Sequence, residues 1–329
     1  MEQELLTLLQ KSFPITDRPF AKLGSMLGRS EDEVLQTYKK LKDDKIIRQT
    51  SAIFDTKSLG YKSSLVAFKT NDIEKAADFI NTHPGVSHNY ERDHDFNLWF
   101  TIAVEPESKL GLEGTVELMA KKTGAKEFIV LPTKKMFKIK VALDLTGKEA
   151  KKEKVQRRAI EPFELEPLHY KLILALQEDI EAVEKPFERV VEELGIDYET
   201  LEKEAKRLQD GGYMRRFASI LYHRKAGFSA NAMVVWDVDE SRAEEIGEKV
   251  AQFRAVSHCY LRPTFQNWPY SLFSMIHGRS KEEVQEVVEE IAKEIEPKEY
   301  RYLYSTREFK KQRIKYFSPK FKEWEERYG

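Results

Sequence analysis

The sequence predicts an α+β protein formed by tandem duplication of one module, a winged helix-turn-helix followed by a ferredoxin-like βαββαβ domain. The first observation is an internal repeat: "RPFAKLGSMLG" from Arg18 matches "KPFERVVEELG" from Lys185 at an offset of 167 residues. Further along, "VSHNYER" from Val86 matches "VSHCYLR" from Val256 at an offset of 170. A repeat this long, well beyond the unit of a solenoid, predicts two homologous modules fused in one chain.

The first part of each module has the apolar spacing of short helices. Leucines recur at helical intervals near the N-terminus, and Ser30 with Glu33 three residues later has the spacing of a capping box at the start of a third helix. The stretch "IIRQTSAIF" that follows is rich in β-branched residues. Three helices followed by strands predict a winged helix-turn-helix at residues 1–60 and, in the second copy, at residues 170–227.

The second part of each module alternates in the order strand, helix, strand, strand, helix, strand. In the first copy (61–144) this order runs from "SSLVAFKT" to "KEFIVLPTKKMF", and in the second (228–329) from "NAMVVWDV" to "EYRYLYSTREF". It is the order of a ferredoxin-like domain. Residues 145–169 are charged, contain proline and have little apolar periodicity, which predicts a linker. We expect the two βαββαβ domains to pack as an internal pseudo-dimer around a joint core.

Composition argues against several classes of protein. The 55 Lys and Arg residues balance 56 Asp and Glu residues, so the net charge does not suit bulk nucleic acid. A single cysteine, Cys259, excludes internal disulfides and a metal site made of cysteines. No apolar run approaches the length of a membrane span, and the N-terminus lacks the features of a signal peptide. We therefore expect a cytoplasmic protein with no membrane partner.

The order of domains resembles that of the Lrp/AsnC transcriptional regulators, twice over. In that family the helix-turn-helix binds DNA, and the βαββαβ domains pair and bind a small effector. One hypothesis is therefore a DNA-binding regulator. Charge argues against it, because the third helix should enter the major groove with its N-terminal turns, where phosphates require cations. Those turns instead carry carboxylates: Glu31, Asp32 and Glu33 in module one, and Asp197, Glu199 and Glu202 in module two.

A row of three polar side chains occupies alternate positions of one predicted strand in each module, so that each row shares one face of a sheet. The rows are His88, Tyr90 and Arg92 in module one, and His258, Tyr260 and Arg262 in module two. Such a row suits a pocket for carboxylates, since arginine offers paired donors and histidine and tyrosine offer protons. Aromatic residues suited to a flat apolar ligand follow the second row: Phe265, Trp268 and Tyr270.

Module two carries cations where module one does not. Arg216, His223 and Arg224 stand where module one has Gln49, Thr56 and Lys57. A solvated strand and turn is the alternative interpretation. Neighbouring strand residues point to opposite faces, so one of Arg215 and Arg216 need not face a ligand. Among the other histidines, His83, His169 and His277 are expected at the surface, and His94 is left open.

At these residues the chain is similar to the siroheme decarboxylases, enzymes of two related subunits descended from the Lrp/AsnC regulators. The resemblance rests on "RRFASILYHRKAGFSANAMVVW" from Arg215, "VSHCYLRP" from Val256 and "IIRQTSAIFDTKSLGYKSSLVAF" from Ile46. It implies that both subunits are fused here. It also implies removal of the two acetate carboxylates of siroheme, giving 12,18-didecarboxysiroheme on a route to haem d1 or to protohaem. A siroheme or haem sensor without catalysis is a third hypothesis.

The implied chemistry needs cations for eight carboxylates, an apolar slot and a proton donor. The macrocycle can delocalise the charge left by carbon dioxide, so the protein needs no cofactor of its own. His223 and His258 are the implied catalytic pair, holding the reacting carboxylate and supplying the proton. One of them could instead ligate the iron of the substrate. The implied substrate-binding residues all lie in module two: Arg215, Arg216, Arg224, Asn231, Tyr260 and Arg262.

Overall fold

A computed structural model describes residues 2–139, 160–222 and 230–329. The elements of module one are α1 (Glu2–Lys11), α2 (Pro19–Leu27), α3 (Glu31–Asp43), β1 (Ile47–Phe54), β2 (Lys62–Lys69), α4 (Ile73–Asn81), β3 (Val86–Arg92), β4 (Leu98–Val104), α5 (Gly111–Thr123), β5 (Glu127–Pro132) and β6 (Lys135–Ile139). Those of module two are α6 (Pro167–Leu176), α7 (Glu188–Leu194), α8 (Tyr198–Asp210), β7 (Met214–Leu221), β8 (Ala230–Asp237), α9 (Ala243–Gln252), β9 (Val256–Leu261), β10 (Leu272–Gly278), α10 (Lys281–Ile295), β11 (Glu299–Leu303), β12 (Ser305–Lys311) and α11 (Lys320–Tyr328).

The chain forms two compact units, and each unit draws on both modules. One unit contains the two helix-turn-helix segments and the other contains the two βαββαβ segments; in module one the boundary falls between Leu59 and Gly60. Helix α6 begins at Pro167, inside the stretch 145–169 that the sequence predicts as a linker. None of the described helices is both long and apolar enough to cross a membrane.

The helix-turn-helix unit is a symmetric pair. Both bonds of the predicted capping box are present at the start of α3, where Ser30 and Glu33 bond to each other's main-chain N–H. In the described part of each module, the strand after the third helix pairs with the equivalent strand of the other module. Strands β1 and β7 run antiparallel, with Ser51 opposite Ala218. The two segments are therefore joined by a two-stranded sheet that neither can form alone.

The βαββαβ unit contains two antiparallel five-stranded sheets. Their orders are β12-β3-β4-β2-β5 and β11-β8-β10-β9-β6. Four strands of each sheet belong to one module and have the ferredoxin-like order that the sequence predicts. The fifth strand comes from the other module: β6 pairs with β9, and β12 pairs with β3. "KEFIVLPTKKMF", which reads as one strand, is thus two strands in different sheets, divided at Thr133.

The faces of the two sheets share one apolar core. Module one contributes Leu65 and Trp99 among others, and module two contributes Val235, Trp268 and Phe273. The joint core that we expected for an internal pseudo-dimer is therefore present in this unit. Helix α11 adds a further link, because Trp324 joins the core of module one and Glu325 accepts hydrogen bonds from the main chain at Lys109 and Leu110, where α5 begins.

Two histidines expected at the surface are buried, so that expectation was wrong. His83 follows α4 and packs edge-on against Trp324, with ring centroids 4.5 Å apart. His169, in the first turn of α6, donates to Glu204 through Nε2 at 3.0 Å, because its Nδ1 accepts the N–H of Glu166. Both stand next to local turn or helix-start signals, but tertiary neighbours cover them.

Candidate active site

The predicted row of polar side chains lies along β9 and the residue that follows it, Arg262, and its three groups stack on one another. The rings of His258 and Tyr260 have centroids 6.1 Å apart and are tilted by 32°. The guanidinium of Arg262 lies 4.9 Å from the centre of the Tyr260 ring and 5.4 Å from that of Phe273. Because alternate strand residues share a face, these side chains support one another along the strand. The row therefore has a fixed geometry.

Arg262 at the end of this row is buried, with 7% of its surface exposed. Its Nη1 donates to the carbonyl of Leu131 at 2.5 Å and to Oγ1 of Thr133 at 3.2 Å. Burial lowers the pKa of Arg262 to about 10, so it remains a cation at neutral pH. Its Nε is buried and has no hydrogen-bond partner among the described residues. This arginine therefore binds protein main chain, and its part in substrate binding stays a prediction.

The ring of His258 is hydrogen-bonded to the side chain of the preceding serine. The Nδ1 atom of His258 lies 2.8 Å from Oγ of Ser257, and the same oxygen lies 2.8 Å from Nε2 of His277. His277 is half-buried rather than on the surface as expected. Sequence reasoning missed this pair of contacts, although the serine before the histidine recurs in both modules as "VSH".

Module one carries the same row with closely similar geometry. His88 and Tyr90 have ring centroids 6.1 Å apart at 29°, and the Arg92 guanidinium lies 5.6 Å from the Tyr90 ring centre. Nη1 of Arg92 donates to the carbonyl of Leu303, and Oγ of Ser87 lies 2.9 Å from Nδ1 of His88. The row alone therefore does not distinguish one module from the other.

Arg215 and Arg216 lie on β7 in the helix-turn-helix unit, and both are half-buried. Arg215 forms an ion pair with Asp55, with Nη2 2.6 Å from Oδ2. Burial by itself would raise the pKa of Asp55, but hydrogen bonds from Ser58 and Arg215 and the charge of Arg215 lower it overall. Arg215 is thus engaged with a carboxylate of module one.

Arg216 has an internal partner as well. Its Nη1 donates to the carbonyl of Gln10 at 2.9 Å. Its counterpart Gln49 donates through Nε2 to the carbonyl of Gln177 at 3.1 Å, and Gln10 and Gln177 are equivalent positions of the repeat. The replacement of glutamine by arginine therefore keeps the contact to the equivalent main-chain carbonyl and adds a positive charge.

The remaining predicted site residues are His223, Arg224 and Asn231. His223 and Arg224 lie outside the described residues, so their predicted roles are untested. Asn231 is exposed at the start of β8, directly opposite His277 on β10.

The predicted aromatic residues differ from one another in exposure. Phe265 is 41% exposed, whereas Trp268 and Tyr270 belong to the joint core of the two sheets. Trp268 is fully buried, and its ring packs against Trp99 of module one. Trp268 and Tyr270 therefore serve the packing of the two modules here, while Phe265 is exposed.

A cleft of about 660 Å³ in the βαββαβ unit is lined by both modules. Its cations are already matched: Nζ of Lys69 lies 3.2 Å from Glu127, and Arg301 lies 2.8 Å from Glu299. Further carboxylates line it at Asp93 and Asp95. Because acidic groups outnumber basic ones, this cleft does not suit a ligand with many carboxylates.

Comparison with known families finds matches in both modules. A family model described as an AsnC-like ligand binding domain matches residues 58–138 and 225–310, and one described as a siroheme decarboxylase NirDL-like helix-turn-helix domain matches residues 2–48. The chain is 42% identical to a siroheme decarboxylase of Hydrogenobacter thermophilus, over 98% of this chain and 96% of that protein. It is 31% identical to a siroheme decarboxylase NirDL subunit of Paracoccus denitrificans, over 94% and 95%.

Solved structures agree over the whole length. The crystal structure of the siroheme decarboxylase NirDL matches with a TM-score of 0.79 and 37% identity, covering 99% of this chain and 97% of that one. The structure of NirDL with an iron-uroporphyrin III analogue matches with a TM-score of 0.78 and 38% identity, covering 98% and 97%. Since these likenesses run through both modules from end to end, the chain belongs to the siroheme decarboxylase family.

Proposed function

We propose that this chain decarboxylates siroheme, removing its two acetate carboxylates to give 12,18-didecarboxysiroheme, which would make it a carboxy-lyase. The observation that carries the proposal is that the likeness to siroheme decarboxylases runs through both modules without interruption. One related structure holds an iron-uroporphyrin III analogue, a macrocycle of the same chemical class as siroheme. The product would belong to a route to haem d1 or to an alternative route to protohaem.

In each decarboxylation the bond between the methylene carbon and the carboxylate breaks, and carbon dioxide leaves. The electron pair of that bond stays on the methylene carbon, where the macrocycle delocalises it. A proton then has to reach this carbon. The protein's tasks are therefore to orient the carboxylate, to exclude competing groups and to deliver one proton per carboxylate.

His258 is the proposed proton donor among the described residues. Its Nδ1 is bound by Ser257, so a proton for the substrate would come from Nε2. Tyr260 and Arg262 fix the direction of the ring through the stack along β9. His223 remains its proposed partner in holding the reacting carboxylate. The proposed contacts to the other carboxylates are those of the substrate-binding residues named from the sequence: Arg215, Arg216, Arg224, Asn231, Tyr260 and Arg262.

The experiment is an anaerobic incubation of the chain with siroheme, followed by mass spectrometry of the tetrapyrrole. Decarboxylation predicts a product lighter by two carbon dioxide molecules. A sensor without catalysis predicts a spectral shift on binding and an unchanged mass, which would overturn the proposal. The His258→Ala variant is the control for reaction that does not depend on this site.

A further inference from the structure

The hydroxyl of Ser257 joins two histidines of module two. Its Oγ lies 2.8 Å from Nδ1 of His258 and 2.8 Å from Nε2 of His277. The three groups lie on neighbouring strands, with His258 on β9 and His277 on β10. Both distances are those of good hydrogen bonds. The serine also lies 3.4 Å from the carbonyl of Met275, a longer contact that competes weakly for its proton.

The serine hydroxyl has a single proton, so the protonation of one histidine ring constrains that of the other. A hydroxyl donates one proton and accepts at its lone pairs. When it donates to one ring nitrogen, the other nitrogen must be the donor toward the serine. A single extra proton on the pair therefore fits at either end: on His258, with the serine donating to His277, or on His277, with the serine donating to His258. Moving one proton across the serine interconverts the two arrangements.

Module one has the serine but ends in a different group. Oγ of Ser87 lies 2.9 Å from Nδ1 of His88 and 2.7 Å from Oγ1 of Thr101. A threonine hydroxyl can orient the serine, but it does not bind and release a proton near neutral pH as an imidazole does. The two modules thus hold their first histidine in the same way and differ in what stands behind the serine.

We propose that Ser257 and His277 form a proton path to His258. The equivalent chain of contacts in module one, from His88 through Ser87, ends in the hydroxyl of Thr101. Ser257 and His277 are positioning residues that act through His258, and the inference rests on the proposed function. When the Nε2 proton of His258 passes to the methylene carbon, the serine proton moves to Nδ1 of His258. A proton from Nε2 of the His277 imidazolium then moves to the serine oxygen. The result is neutral His277, carbon dioxide and a carbon–hydrogen bond, with no change of oxidation state.

The path would supply the proton that each decarboxylation consumes. Each event leaves His258 protonated on Nδ1, so a turn of its ring, or uptake of a proton at Nε2 from the substrate side, has to follow before the second event. His277 is half-buried, as His258 is, so it can exchange protons with solvent. The path also provides an asymmetry between the modules that the histidine–tyrosine–arginine rows alone do not.

The kinetic test compares four variants under anaerobic turnover of siroheme. His277→Gln keeps an N–H donor for the serine but cannot relay a proton, and Ser257→Ala breaks the link. Each should lower kcat at least ~10-fold with KM within about twofold. Ser257→Thr keeps the hydroxyl and should restore most of kcat, and Ser87→Ala in module one should leave kcat within about twofold. Wild-type kcat in His277→Gln, or an equal loss in Ser87→Ala, would overturn the path.

A second measurement uses the wild-type chain, so it depends neither on turnover nor on whether the substituted chains fold. In ¹⁵N-histidine spectra of the wild-type chain without substrate, Nδ1 of His258 and Nε2 of His277 should not both be unprotonated. Finding both unprotonated would contradict the shared hydroxyl, even if siroheme is decarboxylated. Conversely, absence of turnover in the wild-type chain with the expected spectra would remove the proposed function and leave the hydrogen-bonded link standing.

Discussion

Arg262 donates a hydrogen bond of 2.5 Å to the main-chain carbonyl of Leu131, which belongs to the other module. Arg92 makes the reciprocal bond to the carbonyl of Leu303. Leu131 lies near the end of β5 and Leu303 at the end of β11. The chain leaves one sheet for the other directly after each of them, on its way to β6 or to β12. The two arginines therefore bind the segments where the chain passes from one sheet to the other. These two crossings are what allows each module to place its last strand in the sheet of the other.

The first prediction is that Arg92→Leu and Arg262→Leu each lower the free energy of unfolding by about 1–3 kcal/mol, because each leaves a buried carbonyl without its donor. Urea unfolding of both variants measures this. If Arg262 also binds a substrate carboxylate, only Arg262→Leu will weaken siroheme binding in addition. Wild-type stability in both variants would mean that the crossings do not depend on these bonds.

The second prediction concerns which module works. His258→Ala should lower turnover at least ~100-fold, since it removes the proposed proton donor, and His88→Ala should cost much less. The two histidines make a matched pair because their stacking and serine contacts are nearly the same. Turnover is measured anaerobically with siroheme. An inactive His88→Ala with an active His258→Ala would place the working site in module one.

The repeat and the order of elements were predictable because both are local signals along the chain. The exchange of strands was not. "KEFIVLPTKKMF" looks like one strand, and only Pro132 and Thr133 mark a break. Which sheet each half joins depends on bonds such as that from Arg262 to Leu131, between residues 131 positions apart.

The candidate site shows the same limit. The period of two placed His258, Tyr260 and Arg262 on one face, and the structure confirms that placement. The contact of Arg216 with the carbonyl of Gln10 could not be predicted from the sequence, because the two residues are 206 positions apart. The burial of His83 likewise depends on Trp324, at the far end of the chain.

The third prediction is that the acidic N-terminal turns of α3 and α8 have no part in turnover. Asp32→Ala and Glu199→Ala should leave siroheme decarboxylation within about twofold of wild type. Glu33 and Asp197 make less suitable variants, since both cap their helices and their loss should cost about 1 kcal/mol of stability. Loss of turnover in a folded Asp32→Ala or Glu199→Ala chain would show that the active site has been misplaced.

The fourth prediction is a pH dependence of stability from His83. Burial lowers the pKa of His83 from 6.5 to about 3, so between these values the unfolded chain binds a proton that the folded chain does not. The stability associated with neutral His83 is therefore present above pH 6.5 and is lost as the pH falls toward 3. By pH 5 the loss should reach ~2 kcal/mol.

The matched variant for this effect is His83→Asn, which keeps an acceptor for the N–H of Gly85 but does not titrate. Its overall stability should be lower, because the contact with Trp324 is lost. The informative quantity is the slope of unfolding free energy against pH between 7 and 5, which should be shallower than in wild type. Equal slopes would mean that His83 is not the group responsible.

The last prediction separates the structural role of Arg216 from its proposed role in binding. Arg216→Gln places in module two the residue that module one already uses at Gln49, where the side chain reaches the carbonyl of Gln177. The contact to Gln10 should therefore survive, and the unfolding midpoint should stay close to that of wild type. The positive charge is removed.

If Arg216 binds a carboxylate of siroheme, Arg216→Gln should weaken binding by about 1.5–3 kcal/mol, roughly 10- to 150-fold in Kd. Spectral titration with siroheme measures the affinity, and Gln49→Arg is the reciprocal variant. That variant adds a cation in module one and should not restore binding when combined with Arg216→Gln, because the site is proposed to belong to module two. Unchanged affinity in Arg216→Gln would show that this arginine serves only the contact with Gln10, and that the cations holding the substrate lie elsewhere in the chain.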